Sequence, residues 1–328
     1  MFLIWNILSF FFNKYTFGVA LLLLVLKLYL KFTIGYCRSD ATIHGKTVLI
    51  TGANTGIGKE TAKDLARRGG RIILACRDLE KAKKARDEII ASTKNENIII
   101  KKLDLLSLSS VREFAADIKA SEERLDILIN NAGVGAMSQR HTEDNLLPTM
   151  QVNYFSTFLL TLLLIDLLKK SAPSRIIMVS SVAHKYAKLD LNTINVRKAC
   201  GSQRLYNNSK LCLMLFSNEL ARKLSKTGVT VNSVHPGAVL TDIFKAIPKF
   251  YYRIFLVIAK AYFKTPYEGA QTLVHLAVTP GLEKITGKYF VDCAEDKPLP
   301  LATDEGMAKK LWEITEQFVG LKPEEKFW

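Results

Sequence analysis

Tyr206 and Lys210 stand four residues apart in a segment, 204–225, whose apolar spacing predicts a helix, so both side chains project from one face. A phenol with an ordinary pKa of about 10 is a poor base near neutral pH. An adjacent ammonium favours the phenolate, which would make Tyr206 a general acid–base and Lys210 the group that tunes it. Ser181 ends an apolar run, 175–180, that reads as a strand, and a hydroxyl at a strand end can hydrogen-bond a carbonyl or alcohol oxygen. Together the three suit proton transfer to or from such an oxygen. Each has an ordinary alternative, because a Tyr–Lys pair at helical spacing is commonly a surface pair and a Ser-Ser pair can end any strand. His184 and His235 lie nearby, but no acid is placed to complete a triad with either, so packing roles are expected.

From Lys46 onward, apolar runs of strand length alternate with segments of helical length. Strands are predicted at 47–51, 71–76, 98–103, 127–130, 175–180, 229–234 and 288–291, and helices at 58–68, 80–92, 109–121, 146–170 and 204–225. Such alternation predicts an α/β fold, a single doubly wound parallel sheet of Rossmann type with helices on both faces. Its ligand site would lie at the C-terminal strand ends. The first unit, KTVLITGANTGIG at 46–58, is a buried strand, a glycine turn and a helix start. Gly52, Gly56 and Gly58 let the backbone approach a pyrophosphate, which the unpaired N–H groups of the helix start would hold, although glycine loops also occur as plain turns. After the second strand, neutral Cys76 and basic Arg77 stand where an acid would select NAD, so NADP(H) is expected, with Asp78 close by. Asp104 follows the third strand, placed either to contact an adenine amino group or to cap the next helix.

Thr51-Gly52-x-x-x-Gly56-x-Gly58, Asn130-Asn131-Ala132-Gly133, Asn153, Ser181, Tyr206-x-x-x-Lys210 and Pro236-Gly237 occur in one order, and together they resemble the short-chain dehydrogenase/reductase family. The resemblance covers residues 45–290. It implies that Gly52, Asn54, Thr55, Gly56, Ile57, Gly58, Arg77, Asp104, Asn131, Ala132, Gly133, Tyr206, Lys210, Pro236, Gly237 and Thr241 contact the cofactor. Ser181 would hold the substrate oxygen, Tyr206 transfer the proton, Lys210 bridge to the nicotinamide ribose, and Asn153 hold a water in the relay to Lys210. Ser181 and Tyr206 are 25 residues apart, longer than is usual in the family, so an insertion is expected over the active site. That interval, with ACRD at 75–78, KLDL at 102–105, APSRI at 172–176 and SVHPG at 233–237, resembles the retinol dehydrogenase branch. The branch implies retinol–retinal interconversion, or that of another lipophilic alcohol and aldehyde, at the endoplasmic reticulum; a lipid-droplet location is the other expectation. Reduction of steroids, lipid aldehydes or xenobiotic carbonyls is the alternative, and a membrane or lipid-droplet scaffold that keeps the fold is the non-enzymatic one. Thr55 stands where NADP-preferring relatives often carry a basic residue, and HTEDNLL at 141–147 lacks the branch's Asp-Gly turn.

The 328 residues carry a formal net charge of +15, which favours an anionic partner; the lysines are scattered and show no nucleic-acid motif, so lipid is expected and nucleic acid is not. Five widely spaced cysteines without a Cys-x-x-Cys pair suit a reducing compartment and free thiols, with no metal site expected. Residues 1–40 read as a membrane anchor and 41–328 as the catalytic domain. The apolar run FGVALLLLVL at 17–26 fits a span over 15–36 if Lys27 and Lys31 snorkel; a shallow arrangement using 2–12 is the alternative. Lys27, Lys31 and Arg38 follow the run, which places the domain in the cytosol. A second amphipathic segment, 242–264, is expected as a lid at the lipid surface, with Lys245, Lys249, Arg253, Lys260 and Lys264 on one arc, or else as a helix packed on the core. Thr265-Pro266 should start the next helix. The helices 146–170 and 204–225 are dimer faces in the family, so a homodimer is possible; they could equally pack on the sheet.

Overall fold

The computed structural model describes residues 14–135, 137–240 and 249–327. Its strands are β1 (Thr47–Thr51), β2 (Arg71–Cys76), β3 (Ile98–Lys102), β4 (Ile127–Asn130), β5 (Ser174–Val179), β6 (Val229–His235), β7 (Tyr289–Val291) and β8 (Ala294–Asp296). They form one sheet in the order β3-β2-β1-β4-β5-β6-β7-β8, parallel throughout except for β8, which runs antiparallel to β7. The order reverses between β1 and β4, the point at which such sheets open a ligand crevice.

Alternation along each strand divides two cores. Val48, Ile50, Ile72, Leu74, Ile127 and Ile129 face α2 (Gly56–Arg67), α3 (Leu79–Thr93) and α9 (Pro266–Val278). Leu49, Ile73 and Leu128 face the other side, which holds α4 (Leu108–Ser121), the helical run 148–170 and α7 (Ser202–Lys223). Both faces are covered, which is why these strands are continuous apolar runs.

The run 148–170 departs from the single helix expected. It is a turn at Pro148–Met150, a π turn at Gln151–Phe155, then α5 (Ser156–Leu163) and α6 (Ile165–Lys170). The π turn coincides with polar side chains pulled outward: Gln151 donates to Asp144 at 2.6 Å, and Asn153 bonds the loop after β4. A C-terminal helix that sequence patterning did not identify, α10 (Glu305–Phe318), is N-capped by Asp304. Its Trp312 packs at 4.9 Å from Phe158 and 5.6 Å from Phe216, so it lies against α5 and α7.

Ahead of the sheet, α1 (Lys14–Phe32) is long and apolar enough to cross a membrane, with none of its window 15–32 buried against the protein. Lys31, near the end of this helix, has a partner in the protein. It donates to both carboxylate oxygens of Glu268, at 2.8 and 2.9 Å, at the start of α9. α9 opens as expected, with Thr265 as N-cap, Pro266 in the first turn and a capping box closed by Glu268. α8 (Lys249–Tyr262) leaves Val257 and Ile258 exposed and leans on α1, with Tyr262 donating to the Leu23 carbonyl. The expected basic arc does not extend to Lys264, whose ammonium is largely buried against Asp292. Lys245 lies outside the described residues.

Candidate active site

The strand ends surround a cleft of about 870 Å³. Its floor is the turn after β1. Gly52 and Gly56 have φ of +66° and +58°, which side-chain-bearing residues rarely adopt. A Cβ on Gly58 would fall 2.5 Å from Asn131 Nδ2 and 2.6 Å from the Gly52 carbonyl, so the turn closes only around glycine. Thr55, the N-cap of α2, makes no side-chain capping bond, so the first-turn N–H groups are left without the usual side-chain partner. This is a cradle with the donor geometry a pyrophosphate needs.

Asn131 proves to be a fastener. Its Nδ2 donates to the Thr51 carbonyl at 2.9 Å, while Thr51 Oγ1 accepts from the Asn131 and Ala132 N–H groups at 3.0 and 2.9 Å. These bonds tie β1 to the β4 turn across the switch point, a role for Thr51 that its place in the motif alone did not disclose. At the β2 end, Asp78 caps α3 by accepting from Lys81 N–H and pairs with the Lys81 ammonium at 3.0 Å. Arg77 lines the cleft, exposed, and makes no hydrogen bond or ion pair among the described residues. Asp104 also lines the cleft; its carboxylate accepts from Leu106 N–H at 3.0 Å, and the next helix is capped by Ser107 instead. The residues present therefore fit a dinucleotide.

Ser181, Tyr206 and Lys210 meet on one wall of this cleft. Two bonds set the register of α7 on β5: Ser180 Oγ donates to the Lys210 carbonyl at 3.0 Å, and Lys210 Nζ donates to the Val179 carbonyl at 3.0 Å. Lys210 is buried, which pushes its ammonium down to about 8, and its Nζ lies 5.9 Å from the centre of the Tyr206 ring. The expectation that this lysine lowers the tyrosine's pKa is not met. Burial raises the phenol above its ordinary value, opposed by a hydrogen bond with Ser181. Asn153 is likewise committed: Oδ1 accepts from Val134 N–H, and Nδ2 donates to the Val134 carbonyl at 2.9 Å and to Ser209 at 3.0 Å. Its side chain thus pins the β4 turn to α7. Gly133 completes this contact, since a Cβ there would lie 3.3 Å from Lys210 Nζ. Thr241 lies outside the described residues.

The histidines take packing roles. His184 is fully buried; its Nε2 accepts from Leu299 N–H, so Nδ1 carries the proton and donates to the Ser181 carbonyl at 2.6 Å. His235 Nδ1 accepts from Gly237 N–H at 3.3 Å beside Pro236 on the cleft wall. Burial first, then the Lys264 charge, hold His235 down to about 4. The unfolded chain takes up a proton near pH 6.5 that the folded chain refuses until about pH 4, so stability falls with acidification across that window. Urea unfolding should lose about 2 kcal/mol between pH 7 and 5 through this group, by the cost of about 1.4 kcal/mol per pH unit. His235→Asn, which keeps an acceptor for Gly237, should shed most of that loss; an unchanged pH dependence would show that the histidine is not the source.

The insertion before α7 forms 3₁₀ turns at Val182–Tyr186 and Leu191–Thr193 and binds the loop 137–147. Leu147 N–H donates to Asn195 Oδ1 at 2.8 Å and Gln139 Nε2 to the Cys200 carbonyl at 2.9 Å. Met137, Val182, Val239 and Phe263 add apolar lining to the cleft. None of these four was singled out from sequence, because one apolar residue in a loop carries no periodic signal.

Comparison with known proteins agrees with this geometry. Residues 46–251 match the family model for short chain dehydrogenases. The chain is 45% identical over 291 residues to retinol dehydrogenase 14 of Mus musculus, covering 85% of this chain and 87% of that one. It is 46% identical over 295 residues to human retinol dehydrogenase 13, covering 88% and 89%. Among solved structures, an uncharacterized protein from Mycobacterium paratuberculosis superposes with a TM-score of 0.70 at 29% identity, covering 87% of this chain and 98% of that one. The NADP complex of Pseudomonas aeruginosa RhlG superposes with a TM-score of 0.60 at 28% identity, covering 76% and 94%. With the switch-point cleft and its hydroxyl-bearing wall already in place, these matches make the chain an oxidoreductase of the short-chain dehydrogenase family, on the retinol dehydrogenase branch.

Proposed function

We propose that the protein is a membrane-bound, NADP(H)-dependent oxidoreductase of a retinoid-like alcohol and aldehyde, working mainly as a carbonyl reductase, with its catalytic domain on the cytosolic face of the endoplasmic reticulum. The observation that carries this reading is the pair of hydroxyls, Tyr206 and Ser181, lining a cleft to which Met137, Val182, Val239 and Phe263 add apolar surface. Bound NADP(H) supplies or takes up the hydride. Ser181 hydrogen-bonds the substrate oxygen, and Tyr206 donates a proton to it as the carbonyl is reduced. Burial raises the phenol's pKa and so favours the protonated form that donates to the substrate oxygen. Asn153 and Asn131 hold the β4 turn against the cofactor side of the cleft, and the free Arg77 is available to a 2′-phosphate. The names of the retinol dehydrogenase relatives support the substrate class.

The membrane assignment is supported by the exposed apolar surface of α1 together with Val257 and Ile258 of the adjoining α8. Residues 1–40 then act as anchor and 41–328 as the enzyme, with substrate partitioning from lipid into the cleft. The full-length chain in phosphatidylcholine vesicles, given all-trans-retinal, a 3-ketosteroid, a long-chain alkenal and a water-soluble aldehyde with NADPH or NADH, tests the reading. kcat/KM should be highest for retinal with NADPH. Equal efficiency on the water-soluble aldehyde, or a preference for NADH, would reject it.

A further inference from the structure

One carboxylate joins the end of α1 to the cofactor cleft. Asp292 sits in the tight turn between β7 and β8, where it and Cys293 have φ of +50° and +61°. Its Oδ1 accepts from Gly35 N–H at 2.9 Å and from Lys264 Nζ at 2.5 Å. Gly35 belongs to the strap 33–44 that leaves α1, and it is held tightly, since a Cβ there would come 1.8 Å from the Asp292 carbonyl oxygen. Lys264 lies across Gly237, where a Cβ would meet its Cδ, Cε and Nζ at 2.7 to 2.8 Å. The main chain of Lys264 also pairs with the same loop: Lys264 N–H donates to the Ala238 carbonyl at 2.8 Å and Leu240 N–H to the Lys264 carbonyl at 3.1 Å. Gly237, Ala238 and Val239 line the cleft. A second tie runs parallel, from Lys31 to Glu268, whose neighbour Gly269 packs on Val239.

We propose that Asp292 is a positioning residue that couples seating of the strap to the shape of the cleft: it holds the strap through Gly35 and the loop after β6 through Lys264, so the two are set together. This rests on the reading of α1 as the membrane-bound helix, because lipid then fixes one end of the linkage. An ammonium largely removed from water has no equivalent partner among the described residues if Asp292 withdraws, so losing the strap contact loosens Lys264 and the loop that it overlies. The linkage bears on how tightly the cleft holds a dinucleotide and not on the proton step, since neither Gly35 nor Asp292 touches Ser181, Tyr206 or Lys210.

Gly35→Ala in the full-length protein disturbs the strap without altering any cleft residue, and Asp292→Asn keeps an oxygen for Gly35 N–H while removing the charge that holds Lys264. Hydrogen–deuterium exchange of the peptides carrying Leu240 and Lys264, measured without nucleotide, should accelerate at least tenfold in both variants. NADPH Kd by fluorescence titration should rise about tenfold with kcat within twofold of wild type, and the double variant should be no worse than Asp292→Asn alone. Wild-type exchange rates at Leu240 and Lys264 in Gly35→Ala, a lowered Tm with unchanged Kd, or multiplicative effects in the double variant would each overturn the coupling. The exchange measurement involves neither substrate nor cofactor, so its failure is distinguishable from failure of the proposed activity.

Discussion

Tyr206→Phe should cut kcat for carbonyl reduction by about 10²–10⁴-fold, the usual worth of a positioned general acid, while NADPH Kd stays within about twofold. The variant deletes one hydroxyl. The ring and its approach to Lys210 Nζ at 5.9 Å remain, as do the bonds from Lys210 Nζ to Val179 and from Ser180 to Lys210 that fix α7 on β5. Ser181 loses a hydrogen-bond partner but stays anchored, because its backbone carbonyl is held by His184 and its Oγ accepts from Ala183 N–H at 3.2 Å. The loss should therefore fall on kcat and not on binding. Single-turnover reduction with saturating NADPH separates the two, and turnover within a few-fold of wild type would reject Tyr206 as the proton donor.

The same environment sets the pH dependence of the forward and reverse reactions. Because burial holds the phenol above its ordinary value, reduction should proceed undiminished through neutral pH, whereas oxidation, which needs the phenolate, should quicken as pH rises. The tyrosine–lysine pairing legible in the sequence led to the opposite expectation, for an identifiable reason. Spacing reports that two side chains share a helix face, but not how much water each has lost, and burial is the largest influence on both the phenol and the ammonium.

That distinction recurs through the molecule. The strand–helix alternation was legible because the central strands are apolar on both faces, and the glycine turn because steric closure admits nothing else; β1, β2 and β4 lie where patterning places them. Lysines were read less well. Lys31 and Lys264 look in sequence like a snorkelling residue and part of a basic stripe, yet each has a carboxylate partner, Glu268 237 positions away and Asp292 28 positions away. A local pattern cannot register a partner brought in by tertiary folding. The π turn around Asn153 shows the same limit: an asparagine within a helix can kink it, but the distortion accompanies bonds to Val134 and Ser209 from other segments, which QVNYF by itself cannot name. Asn131 and Asn153 were legible as site residues, but a polar residue in a turn has the same signature whether it holds a ligand or another strand, so the sequence alone does not choose between the two.

Arg77→Asp should move the preference for NADPH over NADH by about 10²–10³-fold, with most of the change in the affinity for NADPH. A guanidinium bonded to a 2′-phosphate contributes about 1.5–3 kcal/mol as a charge-assisted interaction, which is roughly ten- to a hundredfold in binding. A carboxylate in its place adds repulsion toward the phosphate and a new acceptor for a ribose hydroxyl, which widens the ratio further. The neighbourhood leaves Arg77 to act alone. Asp78 cannot serve NAD in its present position, because it caps α3 and pairs with Lys81 at 3.0 Å. Thr55 on the glycine turn carries no charge, and Cys76 is buried, its thiol pushed up to about 11 and so neutral. Nothing else on this stretch of the cleft except Lys81 can neutralise a second phosphate, and Lys81 is the partner of Asp78. Because Arg77 makes no hydrogen bond or ion pair among the described residues, the substitution should leave Tm unchanged. A shift in cofactor ratio without a shift in stability therefore separates recognition of the phosphate from a structural role, and an unaltered ratio would remove Arg77 from the cofactor site.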